Sequence, residues 1–266
     1  MLLCSGPVGW RPYPALKVTA AIHAAGAAVL LAEPALWPGV ATALVANHGA
    51  LFAACMMPRS RVLGPNLVRL PAAAAARGEV ALTFDDGPDP EITPRVLDAL
   101  DRAGARGTFF CVGERAAAQP RLTREIVARG HAVESHSLRH TLGFGWYGPV
   151  RLQREVAGAQ RAIADACGVA PVFFRAPFGV RNPMLDPVLA RAGLRYASWT
   201  RRGYDTRDDD AARVLRRLVS GLRAGDVLML HDGYRGRDPG VVLAQLLDVL
   251  AARGLRSVTL REAVRA

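Results

Sequence analysis

The chain has 266 residues, 51% of them apolar, and a formal charge of +11 from 34 Lys and Arg against 23 Asp and Glu. That suffices for one large domain, or for a domain of about 200 residues with an appendage. The basic excess suits an acidic partner, but the arginines are scattered and no zinc-finger, RNP or homeodomain pattern occurs. This argues against nucleic acid and leaves an anionic membrane surface. Cys4, Cys55, Cys111 and Cys167 lie far apart with no CxxC pair, and read as buried or free thiols without a disulfide framework.

Two Ala-rich apolar runs come first, residues 15–32 ("ALKVTAAIHAAGAAVLLA") and 39–57 ("GVATALVANHGALFAACMM"), linked by "EPALWPG". Each is close to the length that crosses a bilayer as a helix, although Lys17, His23, Asn47 and His48 interrupt them. The expectation is a membrane hairpin within residues 1–70; a soluble helical pair docked on the main domain is the alternative. A cleaved signal peptide fits poorly, because the first run starts late and lacks a basic start and a small-residue cleavage site. Arg11 and Lys17 precede the hairpin and Arg59 and Arg61 follow it, while the link carries only Glu33. The positive-inside rule then places both ends, and everything beyond, on the cytoplasmic side of a bacterial-type inner membrane.

After the connector "GPNLVRLPAAAAARG" the chain changes character, and residues 71–266 form the expected main domain. Strand-like runs at 80–84, 107–112, 132–134, 172–175, 195–199, 226–230 and 256–260 alternate with helical patterns such as 93–103, 149–166, 209–223 and 239–252. Such alternation predicts an α/β fold of about seven parallel strands, either doubly wound or a small irregular barrel.

In both architectures the site forms at the carboxyl ends of the strands. There the first run delivers Asp85 and Asp86 in "LTFDDGPDP", the third His136 and His140 in "SHSLRH", and the fourth Arg175 in "FRAPFG". Asp205 follows the fifth and His231 ends the sixth. His136 and His140, four residues apart, would face the same way on a helix, and with one carboxylate of the Asp pair they make a two-His, one-carboxylate set suited to a catalytic cation. The cation neutralises one aspartate and leaves the other to act as a general base. His231 is a candidate general acid, Asp205 its orienting partner, and Arg175 a group to hold the base carboxylate.

With these residues assembled, the stretch 79–260 resembles the polysaccharide deacetylase family, the NodB-homology domain of carbohydrate esterase family 4. "TFDDGP", "HSLRH", "RAPFG" and "LMLHD" match its motifs in order. The resemblance implies a distorted (β/α) barrel and a divalent ion, usually Zn2+ with Co2+ or Ni2+ as alternatives, held by Asp86, His136 and His140. It further implies Asp85 as base, His231 as acid, and hydrolysis of an N-acetyl group from an amino sugar. The fourth motif departs from the family's Asp-x-x-Asp-Trp, with Arg202 at the first Asp, Asp205 at the second and Thr206 at the Trp. Arg201, Arg202 and Arg181 then hint at an anionic or lipid-linked N-acylated amino-sugar substrate. A deformylase on a lipid-linked amino sugar and a non-catalytic carbohydrate-binding membrane protein are the alternatives.

Overall fold

The computed structural model describes residues 10–233 and 239–265. Cys4 lies outside the described residues; Cys55, Cys111 and Cys167 are free thiols. Helices α1 (Pro14–Ala32) and α2 (Trp37–Cys55) are joined by a 3-10 turn at Pro34–Leu36. Each begins with a proline in its first turn, where the missing N–H costs no bond, and each has 19 residues, about 28 Å of helix. The two pack as a hairpin: a Cβ on Gly26 would stand 2.9 Å from Val40 Cγ1. The polar interruptions meet across it, Thr19 Oγ1 donating to Asn47 Oδ1 at 3.2 Å and His23 Nε2 lying 3.3 Å from His48 Nε2. No residue of α1 is buried, and in α2 only Ala54 and Cys55 are. Both helices are long and apolar enough to cross a membrane. The hairpin meets the rest of the chain at its base, where Phe52 stacks on Trp146 at 6.0 Å and Arg181 N donates to Cys55 O at 3.1 Å.

The α/β body runs α3 (Ala72–Ala76), β1 (Glu79–Asp85), α4 (Ile92–Arg102), β2 (Gly107–Cys111), α5 (Gly113–Ala118), α6 (Pro120–Ala128), β3 (Ala132–Ser135), α7 (Pro149–Cys167) and β4 (Phe173–Phe174). It continues through α8 (Leu185–Arg191), β5 (Arg195–Tyr196), β6 (Arg201–Arg202), α9 (Ala211–Val219), β7 (Val227–His231), α10 (Gly240–Ala252), β8 (Arg256–Ser257) and α11 (Leu260–Arg265). All strand pairs are parallel, in the order β5-β4-β3-β2-β1-β7-β6, with β8 added beside the start of β1. Among the described residues β5 and β6 do not pair, so the sheet is a curled half-barrel and not a closed one. Helix ends obey local chemistry: Asp210 Oδ1 accepts from Arg213 N at 3.0 Å to start α9, and Gly168 ends α7 at φ +77°.

The period of two along a strand decides what enters the barrel. In β1, Val80, Leu82 and Phe84 pack outward with Phe109 and with Leu97, Leu100 and Leu246 of the surrounding helices. Ala81 faces the inner cluster of Phe110, Phe173, Trp199 and Met229, and Thr83 and Asp85, at the same phase, touch an arginine inside the barrel. Burial on both faces explains why the parallel strands read as unbroken apolar runs. The runs expected at 172–175 and 195–199 shorten to two-residue strands where the sheet curls. The two-residue β6 was outside expectation, because its charged pair carries no apolar alternation. Beyond β5 the connector closes the edge: Leu67 N donates to Tyr196 O and Ser198 N to Leu67 O, both at 3.0 Å.

Candidate active site and metal centre

At the carboxyl end of β1 the chain turns sharply at Asp86, whose φ is +72°. Gly87 is required here, since a Cβ would stand 2.3 Å from Asp232 Oδ2. The third carboxylate of "DDGPD" does local work: Asp89 Oδ1 accepts from Glu91 N at 2.9 Å and Ile92 N at 3.1 Å, opening α4.

Asp86 Oδ1 lies 3.1 Å from His140 Nε2 and 3.3 Å from His136 Nε2, yet this buried oxygen accepts no hydrogen bond. Tetrahedral coordination at about 2.0–2.1 Å would space ligand atoms about 3.3 Å apart, so the three side chains fit a divalent cation and could hold one. Their protonation suits it. His136 Nδ1–H donates to the Arg175 carbonyl at 2.9 Å, which fixes the tautomer and leaves the Nε2 lone pair toward Asp86. Burial and the neighbouring His136 push the His140 pKa down to about 4, so its imidazole is neutral at physiological pH. Burial alone would raise the Asp86 pKa, but the nearness of His136 and the potential of His136, His140 and His231 outweigh it and hold the carboxyl well below the usual range.

The HxxxH segment is not helical, so its two histidines do not face the same way by the helical repeat. It is a loop after β3, with Ser137 at φ +66° and His140 at φ +52°, and it turns both rings inward, their centroids 4.9 Å apart. Buried Glu155 of α7 sets the loop, its Oε2 accepting from Leu138 N at 3.1 Å and Arg139 N at 3.2 Å. All five described non-glycine residues with positive φ, including Phe178 and Tyr204, sit in loops at this end of the sheet. At about 1–3 kcal/mol each, such strain collects at functional sites.

Asp85 is buried beside this group but tied elsewhere. Arg175 Nη1 donates to Asp85 Oδ1 at 2.5 Å and to Thr83 Oγ1 at 2.9 Å, while Nη2 donates to Ser198 O at 3.0 Å. The guanidinium has no exposed surface and rests 4.0 Å over the Phe110 ring. Burial lowers the Arg175 pKa and Asp85 partly restores it. Asp85 Oδ2 is left 4.0 Å from His136 Nε2.

Across the site, Asp205 holds His231 twice: its Oδ1 accepts from Nδ1–H at 2.9 Å and its Oδ2 from the backbone N–H at 2.8 Å. Burial alone would lower the His231 pKa, but Asp205 and the charges of Asp85 and Asp86 raise it above the ordinary value. A cavity of about 150 Å³ joins both sides; Asp85, Asp86, His136, His140 and His231 line it together with Phe178, Trp199, Arg202, Thr206 and Arg207.

The structure thus brings all seven sequence-derived site residues to one end of the sheet. Arg181 and Arg201, taken with Arg202 as marks of an anionic substrate, are engaged in the fold. Arg181 is buried, donating to Gly64 O at 3.0 Å and to Asp186 Oδ1 at 2.8 Å. Arg201 pairs with Asp226 at 3.2 Å and donates to the carbonyls of Ser220 and Gly221. Three supporting groups were missed. Besides Glu155, Arg115 Nη1 donates to Asp86 O at 2.7 Å and Gly233 O at 2.5 Å, and Thr93 Oγ1 donates to the wholly buried Asp232 at 2.6 Å. Burial, opposed in part by Thr93 and reinforced by Asp85 and Asp86, raises the Asp232 pKa to about 7.

A parallel half-barrel with an Asp/His/His cluster at its strand ends is an arrangement that could serve a metal-dependent hydrolase, and comparison with known proteins gives the family. The polysaccharide deacetylase model matches residues 72–197, a stretch that holds Asp85, Asp86, His136, His140 and Arg175 but not Asp205 or His231. The chain is 38% identical over 156 residues to a chitooligosaccharide deacetylase of Bradyrhizobium sp. (strain ANU 289), covering 58% of this chain and 71% of that one. It is 31% identical over 189 residues to a peptidoglycan-N-acetylglucosamine deacetylase of Bacillus cereus, covering 70% and 88%. A family 4 acetyl xylan esterase of Clostridium thermocellum in complex with a cobalt ion superposes with a TM-score of 0.64 at 31% identity, covering 70% of this chain and 89% of that one. The chain belongs to the polysaccharide deacetylase family and is a carbohydrate N-deacetylase, a hydrolase acting on carbon–nitrogen bonds.

Proposed function

We propose that this chain removes the N-acetyl group from N-acetylglucosamine units of a glycan, with Asp86, His136 and His140 holding Zn2+, Co2+ or Ni2+. The observation that carries the reading is the hydrogen-bond-free Asp86 Oδ1 between two imidazole nitrogens, with Asp85 held apart by Arg175. When bound, a divalent ion there polarises the amide carbonyl and acidifies water. The protein's own groups do the rest. Asp85, fixed through Oδ1, has Oδ2 free to take the proton of the attacking water. The water oxygen bonds to the carbonyl carbon, and the carbon–nitrogen bond then breaks with its electron pair passing to nitrogen. His231, its Nδ1–H tied to Asp205, gives its Nε2 proton to that nitrogen, so acetate and a free amine leave. Arg175 keeps Asp85 in place; unpairing such a buried charge costs about 3–5 kcal/mol.

The uncovered apolar hairpin supports membrane anchorage through residues 15–57, with the flanking arginines favouring the cytoplasmic side. Its base lies against the loop that carries Phe178 and Gly179, where Pro58 Cγ would stand 2.9 Å from a Cβ on Gly179. That proximity suits a lipid-linked or anionic amino sugar presented near the bilayer.

The test is acetate release from N-acetylated sugars together with metal analysis. Asp85→Asn retains metal and loses about 10²–10⁴ in turnover, whereas His136→Ala loses both. Metal loss from Asp85→Asn would exchange the roles of the two aspartates, and no acetate from the metal-loaded wild type would end the deacetylase reading.

A further inference from the structure

The wall of the cavity facing the Asp/His/His cluster is built from residues 199–207, and its charges are unbalanced. The carboxylates around it are already engaged: Asp205 with His231, Asp208 with Arg213 and Arg217, and Asp226 with Arg69 and Arg201. Arg202 and Arg207 both line the cavity, and neither makes an ion pair or side-chain hydrogen bond among the described residues. Arg202 is half-buried, its Nε is fully buried with no hydrogen-bond partner, and its guanidinium is held by the Trp199 ring at 5.6 Å and the Tyr204 ring at 4.8 Å. Burying a donor without a partner costs free energy, and aromatic contacts fix the fork without satisfying it. Arg207 is exposed, and its backbone N donates to Tyr204 O at 2.9 Å.

We infer that Arg202 and Arg207 form an anion subsite beside the scissile amide, built for a phosphate ester or carboxylate borne by the substrate. Two planar guanidiniums at one wall match the paired oxygens of such groups. The inference rests on the deacetylase reading and deepens it by naming the substrate class: an N-acetylated amino sugar with a negatively charged substituent. Of the arginines the sequence offered for this purpose, the structure selects Arg202, adds Arg207, and removes Arg201 and Arg181.

The experiment compares kcat/KM of the metal-loaded full chain on three disaccharides: neutral N-acetylglucosamine disaccharide, the same sugar phosphorylated at its reducing end, and the same sugar bearing a carboxylate ether. The expected wild-type result is a preference for one charged form over the neutral one, falling as salt rises; which form wins identifies phosphate or carboxylate as the source. Arg202→Gln and Arg207→Gln each cut that preference, by about tenfold to a hundredfold for a charge-assisted contact. Arg202→Lys restores only part of it, because Lys keeps the charge without the fork. Arg201→Gln leaves the preference as it was. Equal kcat/KM on charged and neutral sugars in the wild type, or an equal loss on both in Arg202→Gln, would overturn the subsite while leaving the deacetylase intact. Failure to release acetate from any of the three would overturn both.

Discussion

The two walls of the cavity differ in the kind of polar group each leaves unpaired. On the β1–β3 side Asp85 is held by Arg175, His136 by the Arg175 carbonyl and the backbone of the His140 loop by Glu155, and the group left without a hydrogen bond is an acceptor, Asp86 Oδ1. On the side of residues 199–207, His231 is held equally well by Asp205, but among the described residues the neighbouring guanidinium of Arg202 meets only ring faces. The first wall thus leaves an acceptor where a cation could sit, and the second, beside His231, leaves a donor that a negative charge would satisfy.

The difference can be broken in order of expected effect. The largest change in the second wall comes from Asp205→Asn, which removes the charge that raises the His231 pKa. Turnover falls about 10–100-fold, and the alkaline limb of the pH–rate profile moves to lower pH, since His231 then loses its proton earlier. An unmoved limb in a full profile would show that His231 is not the proton donor. Glu155→Gln weakens the acceptor for two backbone N–H groups of the His140 loop and lowers metal affinity about tenfold, measured by chelator competition. Unchanged affinity would mean the loop holds its shape without that charge. The smallest effect is at the hairpin base, where Phe52→Ala loses the stacking on Trp146 and about 1 kcal/mol of stability. A loss of metal in this variant would couple the hairpin to the first wall, against the expected independence.

Much of this arrangement was legible because strands announce their ends. The apolar run into Asp85 and Asp86 and the run into His231 are long, buried on both faces and sharply terminated, so their polar residues had to gather at one end of a parallel sheet. The HxxxH spacing singled out two imidazoles that do meet beside Asp86, though through a loop with positive φ at Ser137 and His140 and not through a helical turn. Strand β6 was invisible because its two charged residues show no alternation. Arg115, Glu155 and the Thr93–Asp232 bond were unreadable for another reason. Arg115 reaches Gly233 across 118 positions and Thr93 reaches Asp232 across 139, and nothing local records such partners. Likewise, composition could not tell which arginines were already engaged; only the contacts of Arg181, Arg201 and Arg202 separate them.

The strand-like seam between the connector and β5 has a practical consequence for preparing a soluble enzyme. Cutting at the compositional boundary near residue 71 would strip Leu67 from Tyr196 and Ser198 and unpair Asn66 from Ser198. The outermost strand would then be bare, free to recruit another molecule edge to edge. A version without the hairpin should instead begin just after α2, near Met57, so that Asn66 and Leu67 stay against β5 and the contacts given up are those of the hairpin base, Phe52 on Trp146 and Cys55 O with Arg181 N.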